Sequence, residues 1–540
     1  MAARQDALTF GRPSATWRRF EAFAETRLAA VVLFVAALCA FALESVALPV
    51  AGGRDFGGYL RWYVQFWDSH TVLPIWTLTR APIASLLVAG LLDLGGVWLA
   101  TVVFALLFAA SVVCWALVAS RYGPRATILT AVALLVWPAY GVVFHELGSD
   151  AGGGAAFALW ALLVVRAIER PSTRRVAAAG LGVALLTLVR PGNQVLVGFA
   201  LLALLLPVSW RRRLALGGIF LASAVAPLLA WSALNSIRYG DFTIVRGRNV
   251  FVFSRAFTHH LVAPSNGPST RALARAVDEH LLPLEPYRSY HVDEKELFAS
   301  GSFRMLTDLF ALSDRYWGWG TDYAIIRKAG WEAVKKHPLE FSGEVATTIA
   351  TELRQTAYGT PPAPAAASST AEHDVVVGGQ ALPKPSEGQP IPSSHWSGDI
   401  QRPGGGIDEV WTSPTEHHVV FASARNRREY DRLQRDAGRL DDGVPAYGGS
   451  STLLRRLNQA SRWFPRPVVW LLVGLVGLVV RRPRRALAPL ALVAAVFVVL
   501  AAAAVGVDAV PEYVIPLAPA FVLLAAVALL GERRERLTQV

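Results

Sequence analysis

Four short stretches of this chain carry the side chains suited to chemistry. Arg54 and Asp55 stand with Tyr59 in the run GGRDFGGYLRWY. His145 and Glu146 precede Asp150 in HELGSD. Arg190 is followed by Pro191, Gly192 and Asn193, and Glu512 and Tyr513 open EYVIPLAP near the C-terminus. A carboxylate within hydrogen-bond reach of a hydroxyl can take its proton, and a guanidinium presents a planar fork to anionic oxygens. Glu146 and Asp150 are four residues apart. On one helix they would share a face and could hold a divalent cation or an arginine. Ser149 or Asp150 could equally cap the start of a helix. Charged and aromatic residues of this kind also serve as plain anchors at a membrane surface.

The elements that must position these groups are membrane helices. The chain has 540 residues, 53% of them hydrophobic and only 17% charged, with a mean hydropathy of +0.39. Many apolar runs reach the roughly 17–25 residues that cross a bilayer as helix. The predicted fold is therefore all-α and polytopic, with about ten transmembrane helices. The net charge of +12 does not point to nucleic acid, because the arginines sit in short clusters between apolar runs. Arg121 and Arg125, Arg166 to Arg175, Arg211 to Arg213 and Arg481 to Arg485 mark inner connections under the positive-inside rule. Cys39 and Cys114 lie inside apolar runs, so no disulfide framework is available.

Residues 1–27 are polar and basic and read as a cytoplasmic tail. An N-terminal transmembrane module covers 28–235, with its first outer loop at 50–80. The first span, 28–49, lacks a small-residue cleavage site and reads as retained. Residues 81–96 are apolar but interrupted, more like a re-entrant or interfacial helix. Further spans are expected at about 97–119, 126–144, 151–167, 176–189, 195–209 and 214–234. The hydrophilic stretch 236–465 then faces outside as an α-rich insert, flexible over about 357–405 where Pro, Ala, Ser and Gly dominate. A C-terminal module, 466–540, supplies spans at about 466–480, 486–507 and 514–530. Both termini are expected in the cytoplasm, and the Arg- and Ala-rich, Lys-poor usage suggests the plasma (inner) membrane of a bacterium.

On this plan the four chemical stretches all fall on one side, at the mouths of different spans. Ionisable groups at membrane depth are costly and default to function.

The order of these features resembles the C-type (GT-C) integral-membrane glycosyltransferases, in particular the bacterial relatives of protein mannosyltransferases and aminoarabinose transferases. The likeness is carried by the acidic first loop, Arg80-Ala81-Pro82, the outer Glu146, Arg190-Pro191, the segment Tyr239 to Thr243, and the ending Glu512 to Pro519. The chain departs from that pattern in having one acid, Asp55, where a pair is common, and Glu-Tyr where Arg-Tyr is common. The resemblance implies an enzyme that moves a sugar from a polyprenyl-phosphate donor to a hydroxyl of a glycan, lipid or protein, on the outer face and with inversion. It implies Asp55 as general base. One carboxylate suffices, because the phosphate leaves as a stable anion and needs no acid, unlike most glycoside hydrolysis. Arg190, Arg238, Arg246 and Arg248 are the candidates to hold that phosphate. Arg54, Tyr59, His145, Glu146, Asp150, Asn193, Glu512 and Tyr513 complete the candidate substrate site, with Glu146 and Asp150 as ligands if a divalent cation is used.

Two other readings fit the same residues. A transporter or flippase of a lipid-linked saccharide would place polar groups near the midplane on discontinuous helices. A non-catalytic cell-envelope assembly protein would need no cavity. Convergence of Asp55, Glu146 and the Arg190 end on one cavity separates the enzyme from both.

Overall fold

The computed structural model describes residues 21–356, 376–377, 380–381, 409–411, 417–419, 424–438 and 452–531. Within these, 22, 24, 25, 47, 54, 68–77, 248, 249, 284–286, 289, 290, 302, 482, 484, 485 and 507–510 are not described. Most of the N-terminal tail, Arg54, Arg248 and nearly all of the stretch expected to be flexible, 357–405, therefore lie outside the described residues.

The protein is a polytopic membrane protein built almost wholly of helix. Among the described residues, six helices are long and apolar enough to cross a membrane: Arg27–Ser45, Pro82–Tyr122, Ser149–Glu169, Trp210–Tyr239, Gln459–Arg481 and Leu487–Ala504. The expected third span is a pair, Pro124–Leu135 and Pro138–His145, bent by 66°. Pro138 causes the break, because it has no N–H to donate and drives Trp137 out of the helical region, to ψ 97°. Three further expected spans are shorter helices, Thr173–Val189, Pro191–Leu205 and Pro519–Leu530. The count of about ten is thus met only if these short helices are included.

Pro191–Leu205 is a 3-10 helix of 15 residues rather than an α-helix. Its rise of about 2.0 Å per residue stretches it to roughly 30 Å, the thickness of the hydrocarbon. The interrupted stretch 81–96 and the span after it form one long helix with a kink. Gly96, at φ 62° and ψ −162°, takes a conformation open essentially to glycine alone. The kink falls at the boundary expected between 96 and 97.

The last span is short but almost wholly enclosed: Ala520 to Ala528 are all buried. It packs on Pro467–Arg481, where Gly474 admits Leu524 so closely that a Cβ there would lie 2.7 Å from Cγ. Close backbone approach through small residues is how helices associate in lipid.

Two cores result. One fills the membrane helices. The second lies within the insert, where Phe251–Thr258, Pro268–His280, Phe303–Tyr316 and Ala324–Lys336 enclose Phe253, Phe257, Leu273, Leu309 and Ile326. A further helix, Ala424–Gly438, follows late in the stretch between the two transmembrane modules. It joins the membrane core instead, burying Tyr430, Leu433 and Ala437 beside the helix Phe56–Phe66. Arg432 pairs with Asp93, which also accepts from the Tyr63 hydroxyl at 2.7 Å.

A two-residue parallel bridge fixes the start of the site. Ala51 faces Glu146 and Gly52 faces Leu147, and the Gly53 N–H donates to the Leu147 carbonyl at 3.3 Å. The first loop is thereby held against the turn that begins the helix Ser149–Glu169. Glu146 is extended here, at φ −104° and ψ 125°, so Glu146 and Asp150 do not share a helix face. The cap of that helix is Gly148, not Ser149 or Asp150, and no side chain closes it. The short strand takes up the residues that a longer helix would have used.

Candidate active site

Asp55 stands at the N-cap of the helix Phe56–Phe66, yet its carboxylate makes no capping bond. It turns to Arg80, whose Nη2 lies 3.2 Å from Oδ1. Tyr59, one helical turn beyond Asp55, presents its ring on the same side. The Arg80 guanidinium is 5.8 Å from the centre of that ring. Burial pushes the Tyr59 hydroxyl up to about 12; Arg80 pulls it down and Asp55 pushes it further up. Tyr59 is therefore a neutral hydroxyl throughout the physiological range.

Arg190 closes the helix Thr173–Val189 and carries the chain into Pro191. Its guanidinium pairs with Asp150, donates to the Glu512 carbonyl at 2.9 Å, and lies 4.3 Å over the Tyr513 ring. Three separate helix ends meet at this one side chain. Burial raises the Tyr513 hydroxyl above its ordinary range, with Arg190 opposing.

Arg246 is the third cation. Its side chain is 1% exposed, with Nη1 3.1 Å from Asp241 and Nη2 2.8 Å from Asp314. Burial works against its charge, but the Tyr323 and Asp314 groups outweigh it and hold the guanidinium above its ordinary value.

These groups border one cavity of about 300 Å³. Its polar lining is Asp55, Tyr59, Thr79, Arg80, Ser149, Arg190, Asn193, Arg246 and Tyr513. Its apolar lining includes Phe251, Val499, Ala502, Ala503 and Leu517. A fixed carboxylate, positive side chains and a hydrocarbon wall thus share one space. Such a space can deprotonate a hydroxyl, hold an anionic oxygen and accommodate an apolar chain.

Of the residues singled out in the sequence, Asp55, Tyr59, Arg190, Asn193, Arg246 and Tyr513 are brought together here. Asp150 stands behind Arg190, and Glu512 contributes its backbone carbonyl. Glu146 flanks Gly53 in the strand bridge, off the cavity wall, so the expected convergence is met by Asp55 and the Arg190 end but not by Glu146. His145 is fully buried, stacked on Phe41 at 4.1 Å and 3.5 Å from Glu44. Arg238 is spent on the fold: it donates to the Phe66 carbonyl at 2.5 Å and covers the Phe66 ring at 4.4 Å. Among the described residues no three His, Cys, Asp or Glu side chains gather as a metal site. With Asp150 given to Arg190 and Glu146 turned to the strand bridge, the pair does not fit a cation.

Arg80 and Thr79 line the cavity although neither is among the candidate site residues read from the sequence. Arg80 enters that reading only through the run Arg80-Ala81-Pro82, which leads into a helix. A charge at the lip of an apolar run was the signal, and it is the same signal that marked Arg190.

Residues 79–234 match the family described as dolichyl-phosphate-mannose-protein mannosyltransferase. No curated protein sequence matches the chain. Two solved structures are similar: the crystal structure of ArnT from Cupriavidus metallidurans bound to undecaprenyl phosphate, and the same protein in the apo state. The first is 15% identical, covers 93% of this chain and 78% of that one, and has a TM-score of 0.32. The second is 16% identical, with coverages of 92% and 77% and the same TM-score of 0.32. The matched segment supplies Arg80, Asp150 and Arg190. Through that segment the chain bears out its resemblance to the GT-C superfamily of membrane glycosyltransferases.

Proposed function

We propose that this protein transfers a sugar from a polyprenyl-phosphate donor to an acceptor hydroxyl, with inversion, on the outer face of a bacterial plasma membrane. The observation that carries the reading is the cavity in which Asp55 and two arginines from distant helix ends face an apolar wall.

Asp55 takes the proton of the acceptor hydroxyl as its oxygen attacks the anomeric carbon. The bond from that carbon to the phosphate oxygen breaks, and its electron pair stays on the departing polyprenyl phosphate. Glycoside, protonated Asp55 and lipid phosphate are the products, and Asp55 returns its proton to water. Arg80 and Arg190 hold the phosphate. Arg80 suits this because its side chain lines the cavity and its Nε has no hydrogen-bond partner among the described residues. As the phosphodiester binds, Arg80 shifts part of its contact from Asp55 to the phosphate, leaving the carboxylate freer to act as base. Tyr59, Thr79, Ser149 and Asn193 offer neutral hydrogen-bonding groups to sugar or acceptor. The isoprenoid tail leaves along Val499, Ala502 and Ala503.

Purified protein in proteoliposomes, offered a panel of polyprenyl-phosphate sugars with mixed hydroxyl acceptors, tests this. Release of lipid phosphate with at least one donor is expected. No release from any donor, with protein that is folded and inserted, would reject the reading.

A further inference from the structure

Arg246 differs from the other cavity arginines. Both of its terminal nitrogens are engaged by carboxylates, Asp241 at 3.1 Å and Asp314 at 2.8 Å. Its guanidinium carbon lies 4.8 Å from the centre of the Tyr323 ring. Asp314 and Tyr323 belong to the insert: Asp314 is on Phe303–Tyr316, and Tyr323 caps Ala324–Lys336. The backbone of Arg246 reaches the other way. Its N–H donates to the Leu78 carbonyl at 2.6 Å. Leu78 adjoins Thr79 and Arg80, and Arg80 holds Asp55.

The turn that delivers Tyr323 is strained. Asp322 and Tyr323 have φ values of 45° and 58°, in the left-handed region that side-chain-bearing residues seldom enter. Such pairs persist where the surroundings dictate them, and they gather at functional sites. Here the outcome is a buried aromatic ring set against Arg246.

We infer that Asp314 and Tyr323 of the insert are positioning residues for the cavity, acting through Arg246 on the Leu78–Arg80 segment. The insert is thereby a structural part of the transfer site, not a separate appendage. This rests on the proposed function for its kinetic consequence, but not for its structural one.

The experiment compares full-length wild type with Asp314→Asn, Tyr323→Leu and Tyr323→Phe in proteoliposomes. Two quantities are read: hydrogen exchange of the peptide containing the Arg246 amide, and transfer kinetics. Asp314→Asn and Tyr323→Leu are expected to speed exchange at Arg246 several-fold. They are expected to lower kcat about tenfold while donor KM stays within about twofold. Tyr323→Phe keeps the ring and should fall between these and wild type. Exchange in Pro268–His280 and Ala324–Lys336 should stay unchanged. Unaltered exchange at Arg246 and unaltered kcat overturn the inference. So does exchange that rises equally through the insert helices, since that is a loss of insert stability alone. If wild type releases no lipid phosphate, the proposed function fails, and the exchange measurement still decides whether the insert holds Arg246.

Discussion

The Asp55 carboxylate and the Arg80 guanidinium lie 3.2 Å apart, each borne by a different helix start and each facing the same cavity. Asp55 is half-exposed there, so the pair is screened by water and adds little to stability. Its meaning is positional. On the proposed function it sets the base, Asp55, beside the cation that follows the phosphate, Arg80.

Asp55→Asn keeps the shape and removes the basic oxygen. Turnover should fall by about 10²- to 10⁴-fold, the usual worth of a positioned base. On the proposed function, binding of the polyprenyl-phosphate donor should persist, because the side chains assigned to its phosphate, Arg80 and Arg190, remain. Lipid-phosphate release and a ligand-binding titration on the same preparation check both. Wild-type turnover would remove Asp55 from its role.

Gly58 is where the backbone admits Arg80. A Cβ at this position would lie 2.9 Å from the Arg80 Nε and 3.1 Å from Nη2. Gly58→Ala should displace the end of this flexible side chain at small cost in stability. Activity should drop about tenfold or more, because the guanidinium leaves Asp55 and the cavity. A melting curve beside a turnover measurement distinguishes this from unfolding.

Arg190→Lys keeps the charge but loses the fork that spans Asp150 and the Glu512 carbonyl. Transfer should fall by roughly 10²-fold, in the range seen when one fixed anion-stabilising donor is lost. Asp150→Asn should act more weakly, raising donor KM, since it orients Arg190 and stands behind it. Equal kcat/KM in all three proteins would exclude the Arg190 end from the site.

Acid sensitivity of the insert has a defined source in Glu332. Burial raises its pKa, but hydrogen bonds from the Ser269 and Thr270 amides outweigh this and hold it below the ordinary value. A carboxyl depressed on folding stabilises the native state above its unfolded pKa, roughly 4.3, and that contribution is lost as pH falls through the depressed value. Glu332→Gln should therefore lower the melting temperature of the insert at pH 7. The difference from wild type should shrink towards acid pH. An equal difference at both ends would show that charge is not what matters.

Much of the fold was legible because membrane insertion is decided locally. Each apolar run carries its own transfer free energy, summed over about 20 residues. Spans such as Arg27–Ser45 and Ser149–Glu169 therefore fell where hydropathy put them. The boundary at 96–97 was legible because a short apolar run ends at Gly95-Gly96, where glycine weakens the helix; the backbone conformation that makes the kink there was set by the fold, since Gly152 to Gly154 stay helical inside Ser149–Glu169. What hydropathy does not register is the winding of a helix. Pro191–Leu205 is wound as a 3-10 helix with only Asn193, Leu196 and Ala203 buried, and Pro519–Leu530 is a short helix enclosed by its neighbours.

The arginines show the other limit. Arg80, Arg190, Arg238 and Arg246 look alike in the sequence, each beside an apolar run. Packing alone sends Arg238 to the Phe66 carbonyl, ties Arg246 to the insert, and leaves Arg80 facing Asp55. The chain's pattern of apolar runs determined that it crosses a membrane repeatedly, and residue order set Asp55, Asp150 and Glu512 beside those runs. Which acid meets which base was decided only in three dimensions. Ion pairing depends on separations of a few ångströms, and those are set by helix contacts between residues far apart in the chain.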